Sequence, residues 1–463
     1  MSNSDTSNDA AQREADKLKK QQWAAKKKAE ERAAKGLIIP PGVWVTEAGV
    51  VKPTYDNCWQ LLEMSADTWG MAYDVLGESY IFRGNVPWEP HYGRELNGDL
   101  VRGIRNWLLD AFETEFKKCD IEDALLSICR ARPYYNPICE HLDLLKWDGT
   151  PRIDGWLQTY FGSPDDPYHR AVGRRFLLGA VARARRPGTK FDPMPTFEAG
   201  QGSGKSTALR ILGGEFFSDA PLGDLDNRDA AIALQRIWIY ELGELNDVTR
   251  AKIEAVKRFL STCVDRYRGI NEKRRTNHPR SCVFAGTTNQ MAYLLDMSGD
   301  RRFWPVRTSR EVKLKELERD RDLLWAEASM IEAQAAKEEA HIPIGIQRPS
   351  LELPRELWIA AGKEQAERRI VDPWVDTVSA WLENQGGERV FTKDILENCF
   401  SIPKGEQRTD HGQRVARVMQ AIGGWRHRPK LRIGKVAGLS GYVREAILDV
   451  IAAEEAEAEA KAA

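Results

Sequence analysis

The chain has 463 residues, 30% of them charged, and a formal net charge of −1. At about 150 residues per domain, that length predicts roughly three domains. So even a charge balance neither demands nor excludes a polyanionic partner, and local patches must decide. Seven cysteines and seven histidines are scattered, with no Cys-x-x-Cys pair and no metal-ligand spacing. Reduced thiols and no structural metal are therefore expected. No apolar run approaches the ~20 residues that span a bilayer. The polar N-terminus lacks the apolar stretch of a secretory signal, so no membrane partner and a cytoplasmic location are expected.

Residues 1–36 alternate Lys, Arg, Glu and Ala, and read as a charged tail, either a frayed helix or disorder. Residues 37–53 read as a linker. A mostly helical N-terminal domain is expected over 54–190. Leu100, Ile104, Leu108 and Leu109 recur at helical spacing there, as do Ile121, Ala124, Leu125 and Ile128. An arginine-rich helix carrying Arg170, Arg174, Arg175, Arg183, Arg185 and Arg186 is stopped by Pro187 and Gly188.

An α/β core follows over 191–310, because short apolar runs alternate with helical ones. Its candidate strands are Met194 to Glu198, Ile237 to Glu241 and Cys282 to Thr287. A helical connector is expected over 311–371, and a separate small unit over 372–446. That unit has helices at 373–384, 392–398 and 407–422, then a basic hairpin at 425–444. Three helices and a hairpin suggest a winged-helix-like domain. Residues 447–463 are a low-complexity tail.

The segment AGQGSGKST between the first strand and a helical pattern has the composition of a phosphate-binding loop. It comprises Ala199, Gly200, Gln201, Gly202, Ser203, Gly204, Lys205, Ser206 and Thr207. Glycines let several backbone N–H groups turn toward one anion. Lys205 can reach the outer phosphates and the Ser206 hydroxyl can ligate Mg²⁺. ATP with Mg²⁺ is the expected ligand pair. The run IWIY delivers Glu241 to a strand end, where open α/β sheets bind ligands. Its carboxylate can hold Mg²⁺ through water or polarise an attacking water, and Glu244 one turn on can share that work. CVFAGTTN ends at Asn289, whose amide can bond a γ-phosphate and the attacking water.

Arg301 and Arg302, in SGDRRFWPV, suit a phosphoryl transition state, acting in trans on a neighbouring subunit or in a salt bridge within the domain. Between Glu241 and Asn289 lies DRYRGINEKRRTNHPR. This reads as a hairpin with a basic tip, or as a merely solvated charged face. Arg266, Arg268, Lys273, Arg274, Arg275 and His278 are its candidate DNA contacts, and Tyr267 a candidate base-stacking ring.

With these parts in order, the chain resembles the virulence-associated protein E family of phage and genomic-island replication proteins, superfamily 3-like helicases of the AAA+ branch. The resemblance covers most of residues 54–330. It rests on NPICEHLDLLKWDGTPRIDGWL, RRFLLGAVARARRPGTKFDPMPTFEAGQGSGKST, IYELGEL, CVFAGTTN and GDRRFWPV. It implies an AAA+ P-loop core and an ATP-dependent DNA helicase, acting as a homo-hexameric ring in bacterial cytoplasm on single-stranded or forked DNA. It assigns Lys205 and Ser206 to phosphates and Mg²⁺, Glu241 and Glu244 to the acidic strand end, Asn289 to the sensor, and Arg301 with Arg302 to the subunit boundary.

Two positions depart from the family pattern. Ala199 replaces a glycine, and Ile270, Asn271 and Glu272 replace Pro-Tyr-Gly at the hairpin tip. No primase domain is evident, so a separate primase or polymerase is an expected partner. Arg408, Arg414 and Arg417 on the C-terminal helix, and the cations from Arg426 to Lys435, make that unit either a DNA-binding module or an oligomerisation module. The competing function is a nucleotide-switched DNA-binding, loading or defence ATPase that never unwinds. A small-molecule kinase fits less well, since it needs neither the sensor amide nor the arginine pair.

Overall fold

A computed structural model describes residues 5–34, 37–88, 90–243, 250–268, 275–294, 300–309, 311–370 and 372–447. The chain divides into two units. The first takes in 1–245, 254–289 and 306–358; the second takes in 246–253, 290–305 and 359–463.

The first unit opens with helix α1 (Asp5–Ala34), so the tail is helical over that span. Helix α2 (Tyr55–Ser65) starts at Thr54, whose hydroxyl accepts from the Asn57 amide. An antiparallel pair follows, β1 (Met71–Asp74) and β2 (Ser79–Phe82). Helix α3 (Gly98–Phe112) is capped by Asn97, whose side-chain oxygen accepts from Asp99 and Leu100, which satisfies amides the helix cannot pair itself. Helix α4 (Lys118–Arg130) completes this bundle. Leu61, Leu100, Ile104, Leu108, Ile121 and Leu125 form one buried core with Trp69 and Phe82.

Two expectations need correction here. Leu109 is exposed, because it lies just off the stripe of Leu100, Ile104 and Leu108. The β1–β2 pair, too short to show a period, interrupts what reads as helical sequence.

Helix α5 (Pro137–Leu144) leads toward α6 (Pro167–Arg185), the arginine-rich helix. Its arginines serve the fold. Arg183 is fully buried and donates to Cys282 O at 2.7 Å and Thr189 O at 3.0 Å; burial lowers its pKa. Arg170, Arg174 and Arg185 pair with Asp165, Asp154 and Asp143.

A five-stranded sheet lies largely in this unit, to which only Val306 and Arg307 of the edge strand Phe303–Arg307 belong. Its strands are β3 (Met194–Glu198), β4 (Phe217–Ser218), β5 (Ile239–Leu242), β8 (Val283–Thr288) and β9 (Phe303–Arg307), in the order β4-β5-β8-β3-β9. The first four are paired parallel, as a mixed α/β fold requires. Helix α7 (Lys205–Gly213) follows β3, α8 (Arg228–Ile232) follows β4, and α9 (Arg250–Ser261) follows β5. Between α9 and β8 lies the antiparallel pair β6 (Val264–Tyr267) and β7 (Thr276–Pro279). The expected strands are observed within two residues; β4 and β9 escaped notice, β4 because two residues carry no pattern.

Helix α10 (Leu314–Glu338) packs on α6 and α7. Its Trp325 is fully buried, meets Trp238 at a ring separation of 4.2 Å, and donates to Leu212 O at the end of α7.

The second unit contains most of α11 (Trp358–Glu367), then α12 (Trp374–Gln385), β10 (Arg389–Phe391), α13 (Thr392–Asp394, continuing as a wider turn to Cys399), α14 (Thr409–Ile422), β11 (Trp425–Ile433) and β12 (Val436–Arg444). The three strands form an antiparallel sheet in the order β10-β12-β11. Val378, Leu382, Ile395, Val415, Met419 and Tyr442 are its core. Each expected helix and the hairpin has a counterpart here; β10 does not follow from the sequence reading.

Trp325→Ala removes an indole that fills the space between α10, α7 and the start of β5. It should cost about 3–5 kcal/mol, read as a lower urea midpoint. Trp325→Phe, which loses the hydrogen bond but keeps most of the volume, should cost less.

Candidate active site

Strand β3 is buried along its whole length, so its C-terminal end is a fixed platform for the loop 199–204. Gly202 (φ 77°) and Gly204 (φ 90°) adopt left-handed backbone, a conformation glycine takes without steric cost. Gly204 is also the residue before α7, and no side chain caps that helix start. The first amides of α7 therefore face outward with no partner inside the helix, which favours an anion. The loop is held from outside by Val312 N donating to Ser203 O, while Leu314 packs beside Gly204.

Lys205 is buried, and its ammonium donates to Ala199 O (2.7 Å), Gly200 O (3.0 Å), Ser203 Oγ (3.2 Å) and Asn289 Oδ1 (3.1 Å). Burial lowers its pKa, and the neighbouring Glu241 carboxylate acts in the opposite direction. Asn289 sits just past β8, the strand between β3 and β5.

Glu241 lies on β5 and is 4% exposed. Its Oε1 accepts from Ser206 Oγ at 2.6 Å and from Thr287 Oγ1 at 2.5 Å. Its Oε2 is buried without a hydrogen-bond partner among the described residues. A carboxylate oxygen in that position costs free energy unless something binds it. The Ser206 hydroxyl and that orphaned oxygen form a hard oxygen donor set suited to Mg²⁺ held partly through water.

Lys205, Ser206, Glu241 and Asn289 thus meet at one sheet edge. Ala199, Gly200 and Ser203 engage Lys205, whereas Gln201, Gly202 and Thr207 are exposed along the loop and helix start. Glu244 lies outside the described residues. Thr287 is the member whose role the sequence reading missed. The sequence shows only that the apolar run ends at Thr287; its closeness to Glu241 follows from the β5–β8 register, which sets Leu242 beside Gly286.

Arg301 and Arg302 belong to the second unit. They end a short turn, Asp300–Arg302, before β9. Trp304 Nε1 donates to Arg301 O, and Gln365 Nε2 to Phe303 O. Arg301 is exposed and Arg302 half-buried.

The β6–β7 pair bears out a hairpin base, but its basic residues divide in two. Arg266, Arg268 and Arg275 are exposed; Lys273 and Arg274 lie outside the described residues. The three exposed arginines line an open groove of about 710 Å³ together with Asn227 and Arg228 of α8 and the turn before it. Arg228 was not singled out from sequence.

Two candidates are placed otherwise. His278 is mostly enclosed, with Nδ1 2.6 Å from the Glu78 carboxylate and Nε2 2.8 Å from Thr276 Oγ1. It stacks on Tyr267 at 3.8 Å. Tyr267 is 5% exposed and its hydroxyl accepts from Gln235, so its ring has no open face for a base. Arg280, likewise, is buried in a bidentate pair with Asp265 and lies over the Phe259 ring at 4.2 Å. These three residues brace the hairpin instead of facing outward.

Residues 142–343 match the family model of the virulence-associated protein E-like domain. Over that span, a little under half of its length, the chain is similar to the virulence-associated protein E-like family. The span includes the loop, Glu241, Asn289, the hairpin and both arginines. No curated protein matches the chain. Solved structures of the apo C-terminal region of NrS-1 overlay with TM-scores of 0.44, at 13% and 12% identity, covering 81% of this chain and 95% and 96% of those chains. A third, at 14% identity and the same TM-score, covers 83% and 98%.

Gly204→Ala forces a side chain into a backbone conformation that costs it roughly 1–2 kcal/mol. Gly200 has open space around it and no positive φ. Thermal unfolding should therefore show a lowered midpoint for Gly204→Ala and little change for Gly200→Ala.

Proposed function

We propose that the first unit is a P-loop ATPase core of the AAA+ kind, that the second carries a winged-helix-like fold, and that the protein is an ATP-dependent DNA helicase. On this reading it works as a homo-hexameric ring in the cytoplasm of a bacterial host, in replication of a phage or other mobile element, alongside a separate primase or polymerase. The observation that carries the ATPase reading is the hydrogen-bonded meeting of three loop tips: Lys205 with Asn289, and Ser206 with Glu241. The winged-helix reading is supported by the order α12, β10, α13, α14, β11, β12 and the sheet order β10-β12-β11.

The chain's own groups account for each part of hydrolysis. Amides of the 199–204 loop and of the α7 start bind the β- and γ-phosphates. Lys205 exchanges its carbonyl partners Ala199 O and Gly200 O for phosphate oxygens, gaining charge-assisted bonds. Mg²⁺, held by Ser206 with Glu241 nearby, would neutralise charge on the β- and γ-phosphate oxygens. Glu241 Oε2 accepts a hydrogen bond and then a proton from the attacking water as the water oxygen bonds to the γ-phosphorus, and the bond to ADP breaks with its electron pair leaving on the ADP oxygen. Asn289, pinned through Lys205, aligns that water and the γ-phosphate. Arg301 and Arg302 reach the nucleotide of a neighbouring subunit and stabilise the charge that develops on the leaving oxygens. Arg228, Arg266, Arg268 and Arg275 present cations to a DNA backbone in their groove, in the manner of phosphate contacts.

Lys205→Ala should abolish ATP hydrolysis. Asn289→Ala should lower kcat roughly a hundredfold while nucleotide still binds. Full turnover by Lys205→Ala would remove the ATPase reading. Mixing Arg301→Ala, Arg302→Ala protein into wild type should depress hydrolysis more steeply than dilution. A strictly linear loss would mean that the sites work independently. A fluorescent forked duplex separates helicase from switch: strand release that needs ATP supports unwinding, and binding without release supports a nucleotide-switched loading or defence ATPase.

A further inference from the structure

The C-terminal unit divides its basic residues unequally between helix α14 and the β11–β12 hairpin, and the helix residues are already engaged. Arg414, at the middle of α14, makes two bonds to the Asp372 carboxylate at 2.8 and 2.7 Å. Its guanidinium also lies 4.0 Å over the Trp374 ring, which stacks on Phe400 at 3.9 Å. Arg414 holds Asp372 below the usual carboxylate range, with Arg417 adding to the effect. The fully exposed residues of α14 are Thr409, Asp410, Gln413, Ala416, Gln420 and Ala421, none of them cationic; Arg414 and Arg417 are half-buried, and Arg408 stands exposed at the helix start. A helix that enters a major groove normally brings donors for phosphates at its flanks as well as for bases.

The hairpin is the opposite. Between Trp425 and Arg444 there are six Lys or Arg residues and no Asp or Glu. Arg426, Lys430, Arg432, Lys435 and Arg444 are exposed, and Arg428 is half-buried. Among the described residues, only Arg426 of these has an acidic neighbour at ion-pair distance, Glu445 at 3.9 Å, and that pair is itself exposed. A small core of Phe391, Leu431 and Val443 stiffens the strands, so the charges sit on a defined ribbon. Arg426, Arg428, Lys430 and Arg432 recur at every second position of a nine-residue strand, and together they offer several cations to a phosphate backbone at once.

We propose that this unit binds the sugar–phosphate backbone of double-stranded DNA through the β11–β12 hairpin, with α14 outside the major groove. Binding of this kind is strongly salt-dependent and blind to sequence. It stands apart from the ATPase reading, because neither Lys205 nor Glu241 takes part.

The test uses the full chain, two unrelated 30-base-pair duplexes and a salt titration. Lys430→Ala, Arg432→Ala, Lys435→Ala together should weaken binding to both duplexes at least tenfold at about 0.15 M salt. The slope of log affinity against log salt should fall by about 2–3. The charge-conserving set Lys430→Arg, Arg432→Lys, Lys435→Arg should bind like wild type, as should Gln413→Ala, Gln420→Ala on α14. DNA-independent ATP hydrolysis should be unchanged in all three. The proposal is overturned if the alanine set keeps wild-type affinity and slope, or if the α14 pair loses binding to one duplex selectively. It is equally overturned if wild type binds neither duplex, or if the alanine set alters self-association in sedimentation while duplex affinity stays intact.

Discussion

The placement of β8 between β3 and β5 is the constraint on which the candidate site depends. Parallel pairing brings all three strands to the same sheet edge with their C-terminal ends together. Lys205, Asn289 and Glu241 then come from three separate chain segments yet share one hydrogen-bonded cluster. A carboxylate as enclosed as Glu241 would be costly alone. Two hydroxyls, Ser206 and Thr287, satisfy one of its oxygens and leave the other without a donor among the described residues. The arrangement is preorganised: the groups need to exchange partners, with no large rearrangement of backbone.

Cations in the first unit fall into two populations, and the division follows burial. Arg183 and Arg280 are enclosed and spend their donors on backbone carbonyls and on Asp265. They tie α6 and the hairpin base to the start of β8, and so help to fix the strand that carries Asn289. Arg228, Arg266, Arg268 and Arg275 stay at the surface around one groove. Buried guanidinium needs every available acceptor to offset lost hydration, whereas surface guanidinium keeps its water and remains exchangeable for phosphate. The same chemistry thus serves rigidity in one place and, on the proposed reading, recognition in the other.

Much of this arrangement was legible before any coordinates. Glycines followed by Lys205 and Ser206 carry a mechanism in their order, and apolar runs ending in Glu241 and Asn289 mark strand tips because buried strands have to surface somewhere. Short elements were not legible: β4 has two residues and β10 three, too few for a period. Partners distant in sequence were the second blind spot. His278 and Tyr267 read as a nucleic-acid surface because the hairpin is basic, yet the residue that encloses them, Glu78, lies 200 positions from His278. Arg414 is a similar case: it was grouped with the other cations of its helix, yet it pairs with Asp372 from before α12. Charge along a chain is visible in sequence; its neutralisation by a remote carboxylate is not.

The central claim is that the edge of this sheet grips the terminal phosphate of ATP. The most direct measurement is an experimental structure of the full chain with Mg²⁺ and a non-hydrolysable ATP analogue. The account predicts the γ-phosphate within hydrogen-bond distance of Lys205 Nζ and Asn289, with metal density beside Ser206 Oγ and the free oxygen of Glu241. Nucleotide bound elsewhere, or a saturating analogue that leaves Lys205 on Ala199 O and Gly200 O, would contradict it.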